Sequence, residues 1–390
     1  AAGDLDAAVE WCRKAADVND PGAMHKLGLA YYNGNGVEQD INKTLELLTR
    51  AAEAGNSASM FHLGLIYHAG DGVEKDYAKA LQWYKSGADK MHPEAMHNLG
   101  VMYLGGEGTA RNIAKGVEWL EKAAAAGNVQ AMYNVGVAYY NGDGIAKDYT
   151  RAVEWFRKAA DANDLGAMYN LALAYLDIND YGSAKRWFEK AAATGNIEAM
   201  YNLGVMYYNG YGVNRDFGSA GEWYLKAAQG GETNAMVNLG LMHDEGLGTP
   251  KDADKAVQWY RKAADAGNPR GMANLAMAYY QGNGLEKNER KAVEWLSKAA
   301  ELGETMAMFN LGLMHQQGRA AAKDLAKAAE WYKKAAEAGD SQAMVNLALM
   351  CQQGEGIPKN PEQAVFWLKK AADLGHPQAK EELNKLNKTE

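Results

Sequence analysis

Cysteine is nearly absent. Cys12 and Cys351 are the two among 390 residues and stand at opposite ends of the chain. They are expected to lie too far apart to pair, so no disulfide framework holds this fold, and two lone thiols do not fix the redox compartment. Each occupies a register held elsewhere by Tyr, Leu, Phe or His, and reads as a small buried hydrophobe. No apolar stretch approaches the roughly 20 residues that span a bilayer, which argues against membrane insertion. Positive charge is in deficit, with 41 Lys and Arg against 49 Asp and Glu, a net of −8 with both signs interspersed. That leaves no footprint for a phosphate backbone, and nucleic acid is excluded as a partner. No Ser/His/Asp or Cys/His constellation recurs, so no catalytic residue is expected. The glycine-rich turns have no strand before them and no Lys-Ser/Thr after them, which removes the nucleotide-loop reading and leaves no cofactor. The eight histidines include no pair four residues apart on one helix, and no metal site is expected. His25, His62, His68 and His97, on the first helices of three successive copies, are those that could converge. His243 and His315 read as core residues with a hydrogen-bond partner.

What is present is a period. Trp83, Trp119, Trp155, Trp223, Trp259, Trp295, Trp331 and Trp367 fall on a 36-residue spacing, with Trp187 displaced by four residues and Trp11 two periods before Trp83. Met24, Met60, Met96, Met132, Met168, Met200, Met236, Met272, Met308 and Met344 keep the same spacing and the same slip. Two registers that coincide mean one unit copied along the chain, and periods of this size mean a solenoid in which each unit buries its apolar face against its neighbours. The whole of 1–390 is therefore expected to be a single repeat domain. It divides into a half unit at 1–20, ten units over 21–376 with a short one at 165–196, and a capping helix at 377–390.

Within the representative unit 129–164, Ala131, Val135, Ala138 and Tyr139 recur at helical spacing. A glycine loop follows at Asn141-Gly142-Asp143-Gly144, and a second stripe then runs through Ala152, Trp155 and Ala159. The unit is two helices and a turn, and the chain is predicted to hold 22 helices, two per full unit and one at each end. Asp40, Asp76, Asn112, Asp148, Asp180, Asp216, Asp252, Asn288, Asp324 and Asn360 share the register before the second helix and supply its N-cap. Gly55, Gly127, Gly195, Gly267, Gly303, Gly339 and Gly375 supply its left-handed stop. Gly28, Gly64, Gly100, Gly136, Gly204, Gly240 and Gly312, with Ala172, Ala276 and Ala348, sit mid-helix, where Gly costs about 1 kcal/mol against Ala. Close contact of the paired helices is expected there, with Trp filling the space beside each.

Two copies depart from the pattern. In 165–196 the loop shrinks to Asp177-Ile178-Asn179, predicting a local change in the superhelix, and in 305–340 Gly318-Arg319-Ala320-Ala321-Ala322 replaces the second loop glycine. At the far end Ala379, Leu383 and Leu386 keep one apolar face while Lys380 takes the Met position, as a polar cap would. At the near end Asp4 is expected to cap a second helix whose first helix is missing, so that the chain begins inside a longer protein.

The strings A-M-x-N-L-G-x-x-Y, G-x-G-V/I-x-K-D and K-A-x-x-W-x-x-K-A-A-x-x-G-N run here as Ala131 to Asn134 with Gly136 and Tyr139, Gly142 to Asp148, and Ala152 to Ala160. They resemble the Sel-one-like repeat family, relatives of tetratricopeptide repeats, over essentially all 390 residues. The resemblance implies an all-α, right-handed α/α superhelical solenoid that acts as a non-enzymatic adaptor within larger protein assemblies. Exported bacterial members rich in paired cysteines differ from this chain, so their localisation does not carry over.

If Met132, Val135, Gly136 and Tyr139 face inward, Tyr133, Val137 and Tyr140 form the neighbouring stripe and should line a concave groove. The position after each Met reads His25, Phe61, His97, Tyr133, Tyr169, Tyr201, Val237, Ala273, Phe309 and Val345. Beside it runs an asparagine ladder from Asn98 to Asn346. The ladder either bonds neighbouring helices and stabilises stacking or grips the backbone of an extended peptide beside tyrosines that supply contact area. The candidate binding residues are Tyr133, Asn134, Tyr140, Tyr169, Asn170, Tyr201, Asn202, Tyr208 and Asn238. The leading expectation is a protein or peptide partner held in that groove. The other is a carbohydrate or cell wall of a bacterial envelope or secreted system, since tyrosines and asparagines also suit sugar rings.

Overall fold

The computed structural model describes residues 2–142, 144–319 and 322–386, with the side chains of 2–6 and 386 outside that description. The expectations placed on Asp143, Ala320, Ala321 and the side chains of Asp4 and Leu386 therefore lie outside the described residues. Among those described there are 22 α-helices and no strand, and they form two compact units, Ala1–Thr194 and Gly195–Glu390.

The first unit runs α1 (Ala2–Asp17), α2 (Pro21–Asn33), α3 (Ile41–Glu53), α4 (Ser57–Ala69), α5 (Tyr77–Asp89), α6 (Pro93–Gly105), α7 (Ile113–Ala125), α8 (Val129–Asn141), α9 (Tyr149–Asp161), α10 (Leu165–Asp177) and α11 (Tyr181–Ala193). The second runs α12 (Ile197–Asn209), α13 (Phe217–Gln229), α14 (Thr233–Glu245), α15 (Ala253–Asp265), α16 (Pro269–Gln281), α17 (Glu289–Glu301), α18 (Thr305–Gln317), α19 (Leu325–Glu337), α20 (Ser341–Gln353), α21 (Pro361–Asp373) and α22 (Pro377–Leu386). In each unit every helix packs on the one before and the one after it, which makes each a solenoid of helix pairs.

The caps fall where the Asp/Asn register puts them. Asp40 accepts the Lys43 amide at 3.0 Å, and Asp148 accepts that of Arg151 at 3.0 Å. A second set, less regular in sequence, caps the first helices: Asn56 accepts from Ser59 at 2.8 Å, and His92 does so through Nδ1 from Ala95 at 3.4 Å. After each second helix the chain turns through a left-handed residue. It is Gly55 at φ 92° and Gly127 at φ 93°, but Asn19, Met91 and Asn163 in copies without glycine. Helix α1 already runs from Ala2, so Asp4 lies inside it rather than at its cap.

The core departs from expectation at one register. The mid-helix glycines do face the second helix at close range, but the residue that fills the space is the one after Trp. A methyl built on Gly136 would fall 2.5 Å from Phe156, and Gly64 and Gly204 lie likewise against Tyr84 and Tyr224. Phe156, Phe188, Tyr84, Tyr224, Tyr260 and Tyr332 are buried, whereas Trp155 and most of the other tryptophans are half-buried and Trp11 is 73% exposed. The reason is angular. Ala152, Phe156, Ala159 and Ala160 are the positions of α9 turned to the core, and Trp155 stands one residue, about 100°, off that line. The Trp rings cover the flank of their helices, and Lys158 lies 3.9 Å over that of Trp155.

In the short copy, α10 and α11 are joined by 178–180, with Asn179 at φ 61° taking the left-handed turn. At the far end α22 packs on α21, with Ala379 fully buried and Leu383 partly buried at the end of the core cluster that runs through α19 to α21, while Lys380 is exposed. Both cysteines are free, Cys12 half-buried and Cys351 buried, and burial pushes the Cys351 thiol up from its ordinary value.

Candidate functional site: the face of the first helices

All nine predicted binding residues lie on first helices and are half-buried. Tyr133, Asn134, Tyr140, Tyr169 and Asn170 belong to the first unit, and Tyr201, Asn202, Tyr208 and Asn238 to the second. Each tyrosine ring leans on the aromatic core of its own helix pair. Tyr133 lies 5.9 Å from Phe156, Tyr169 lies 5.9 Å from Phe188, and Tyr201 lies 5.8 Å from Tyr224. Tyr140 meets Tyr149 edge-on at 5.3 Å and Tyr208 meets Phe217 at 5.2 Å. One side of each ring is thus spent on the core.

Their polar atoms form stitches between successive repeats. The residue after one Met bonds the second residue after the next: Asn170 Nδ2 donates to the Tyr133 hydroxyl at 2.9 Å, and Asn134 Nδ2 donates to His97 Nε2 at 2.9 Å. His25 and His62 form the same stitch at 3.3 Å between Nε2 and Nδ1. His62 Nδ1 also lies 2.8 Å from the Ala58 carbonyl, which can only accept, so that nitrogen carries the proton and His25 Nε2 is the acceptor. Where the residue after Met is apolar or does not offer the bond, asparagine reaches the buried tyrosine of the preceding pair instead, Asn98 bonding Tyr84, Asn238 bonding Tyr224 and Asn346 bonding Tyr332. Asn202 donates to the Glu198 carbonyl of its own helix at 2.9 Å.

A second row of stitches runs near the helix C-termini. The Tyr140 hydroxyl donates to Asp177 at 2.6 Å, His68 meets Glu107 at 2.8 Å, Asn283 donates to Asp244 at 2.8 Å, and Tyr32 bonds Asp71. Sequence reading missed Asp71, Glu107, Asp177 and Asn283. The available signal was their separation from the partner, 39 residues or one repeat plus three for Asp71, Glu107 and Asn283, and 37 or one repeat plus one for Asp177, which precedes the shortened loop.

Burial sets the protonation of this face. It pushes the Tyr84 hydroxyl up to about 12 and, with Asp177, raises that of Tyr140. It lowers His97 and His92 and takes His25 down to about 4, with the charges of His62, His92 and Lys26 adding to the effect. His25 and His62 do converge, but among the described residues no group of three or more His, Cys, Asp or Glu is placed to hold a metal. His243 is half-buried, and its Nδ1 is buried without a partner among the described residues. No described helix is long and apolar enough to cross a membrane. What the face can do chemically is present fixed aromatic edges, held in register by inter-repeat bonds.

The model of the Sel1 repeat matches residues 2–20, 21–56, 57–90, 93–128, 129–164, 165–196, 197–232, 233–268, 269–304, 305–340 and 341–376. Among solved structures, a protective antigen of uropathogenic Escherichia coli strains displaying an SLR fold is 35% identical. That likeness spans 97% of this chain and 82% of its own, with a TM-score of 0.72. A Sel1 repeat protein from Oxalobacter formigenes is 25% identical over 97% of this chain and 90% of its own, at a TM-score of 0.43. Cysteine rich protein B of Helicobacter pylori is 34% identical over 34% of this chain and 94% of its own, at a TM-score of 0.29. No curated protein matches the chain.

Proposed function

Because the chain belongs to the Sel1 repeat family, whose members are in general protein-interaction scaffolds, we propose that it holds a protein segment against the face of its first helices. The observation that supports this reading is the half-buried tyrosine stripe. Tyr133, Tyr140 and Tyr169 in the first unit, with Tyr201 and Tyr208 in the second, have rings packed on the core while an edge stays open, and Tyr133 and Tyr140 are held by inter-repeat bonds as well. Pre-fixed aromatic side chains lose little freedom on binding, which is what makes them effective anchors. The tyrosines carry the proposal, and the asparagines support them from behind, since Asn134 and Asn170 already spend a donor on the stacking.

The test is site-specific capture. A photo-reactive phenylalanine analogue at position 169 or 208 of the intact chain should trap a polypeptide, and Tyr133→Ala should weaken the trapping at 169 while leaving the helix content unchanged. The same analogue at Glu154, exposed on α9, is the control. If position 154 traps the same polypeptide as efficiently, the first-helix face is not the binding surface.

A further inference from the structure

We infer that the second unit carries a separate docking site, on the side of its second helices, for an amphipathic helix of a protein partner that presents apolar side chains beside a basic residue. The site is a cavity of about 410 Å³ between α13 and α15, floored by α14. Four of its lining positions differ from what the repeat usually places there. Gly221, two before Trp223, stands where Val117, Val153, Val257 and Val293 stand. Leu225 takes a position that is Lys85, Glu121, Arg157, Arg261 or Lys333 in other copies, and it is 40% exposed. Leu247 replaces Asp71, Glu107, Asn283 or Glu355, and His243 replaces the usual tyrosine. Volume is removed at two positions and charge at two others, all around one hollow.

The other copies serve as internal controls, because they show what folding alone asks of these positions. Folding does not ask for glycine at 221. A methyl there would meet only the terminal carbon of Met242, at 3.3 Å, and glycine in a helix interior is unfavourable. The pair that Gly221→Val would create already exists elsewhere, since Val293 packs on the core around Met314. Likewise the charged residues of other copies show that the solenoid does not require a leucine at 225.

The occupant follows from shape and charge. Two second helices lying side by side with an apolar floor make a trough of the kind that receives side chains spaced along one face of a helix. Of the charged groups at its rim, Lys255 is held by Asp252 at 3.2 Å, while the exposed Glu222 has no ion pair among the described residues. The unanswered charge is negative, as is the chain at −8, which selects a base next to the apolar anchors.

The test uses the intact chain and a displayed library of helical peptides of about 16 residues. Enriched sequences should carry apolar residues three or four apart with a neighbouring Lys or Arg, and their binding should change Trp259 fluorescence. Gly221→Val and Leu225→Lys, which restore residues of the other copies, should keep full helix content and weaken binding at least about tenfold. Tyr169→Ala should leave it unchanged, which separates this site from the first-helix face. Enriched peptides that bind Gly221→Val as tightly as the parent would overturn the proposal. So would a library that yields nothing, whether or not indole alone binds the parent and not the variant, the positive result marking a small-molecule pocket.

Discussion

At the scale of single residues, recurrence and burial are different properties. Trp recurs in almost every copy, yet the residue beside it is the one that the mid-helix glycines face. Truncating the fully enclosed Phe156 to Ala should cost about 3–5 kcal/mol, while Trp155→Ala, at a half-buried flank, should cost distinctly less. Denaturant midpoints of the two variants check this, and a larger loss for Trp155 would restore it to the core. The His25 and His62 stitch makes an equally local prediction. In the fold His25 is held to about 4 against an ordinary 6.5, so between those values the unfolded chain binds more protons than the folded one. The stability contributed is present above pH 6.5 and lost as pH falls through 4; burial lowers His92 and His97 in the same sense. Urea titrations across that range should show His25→Gln losing less stability on acidification than the parent, and parallel curves would contradict the assignment.

At the scale of the helix and the turn, much was legible because the information is local. An Asp or Asn before each second helix binds an amide three residues on, and a seven-residue or three-residue connection can be counted from the sequence. The direction in which Trp155 points was not legible in the same way, since one residue turns a helix by about 100° and the apolar stripe is broad enough to admit either neighbour. The stitches were hidden for another reason. Tyr133 and Asn170 are 37 residues apart, and whether asparagine meets a neighbour or solvent depends on how successive first helices lie against each other. Capping gives this scale its own prediction. Glu304 begins α18 without a side-chain bond to the helix, whereas Asn268 in the same register of the preceding copy accepts the Gly271 amide at 2.9 Å. Glu304→Asn should therefore stabilise the chain by about 1 kcal/mol, read as a rise in the denaturant midpoint. No rise would mean that the first-helix caps contribute less than their geometry suggests.

At the scale of the whole molecule, a solenoid distributes its stability differently from a fold with a single centre. Helix α9 packs on α8 and α10 and has no comparable contact with α2 or α3. Each copy is therefore held by its own pair and by its two neighbours, so that stability is close to a sum of unit and interface contributions. A lesion in one copy should weaken its neighbours most and fade along the stack. Native-state hydrogen exchange on the intact chain carrying Phe156→Ala should show the largest loss of protection in 129–164. A smaller loss is expected in the adjoining 93–128 and 165–196, and little in 21–56. Nearly all of these copies' residues lie within the first unit, so the gradient is set by the packing of that unit. A uniform loss from 21 to 194 would mean that the unit opens as one cooperative body. The inter-repeat bonds of Tyr133 with Asn170 and His97 with Asn134 would then couple the copies more tightly than nearest-neighbour packing alone requires.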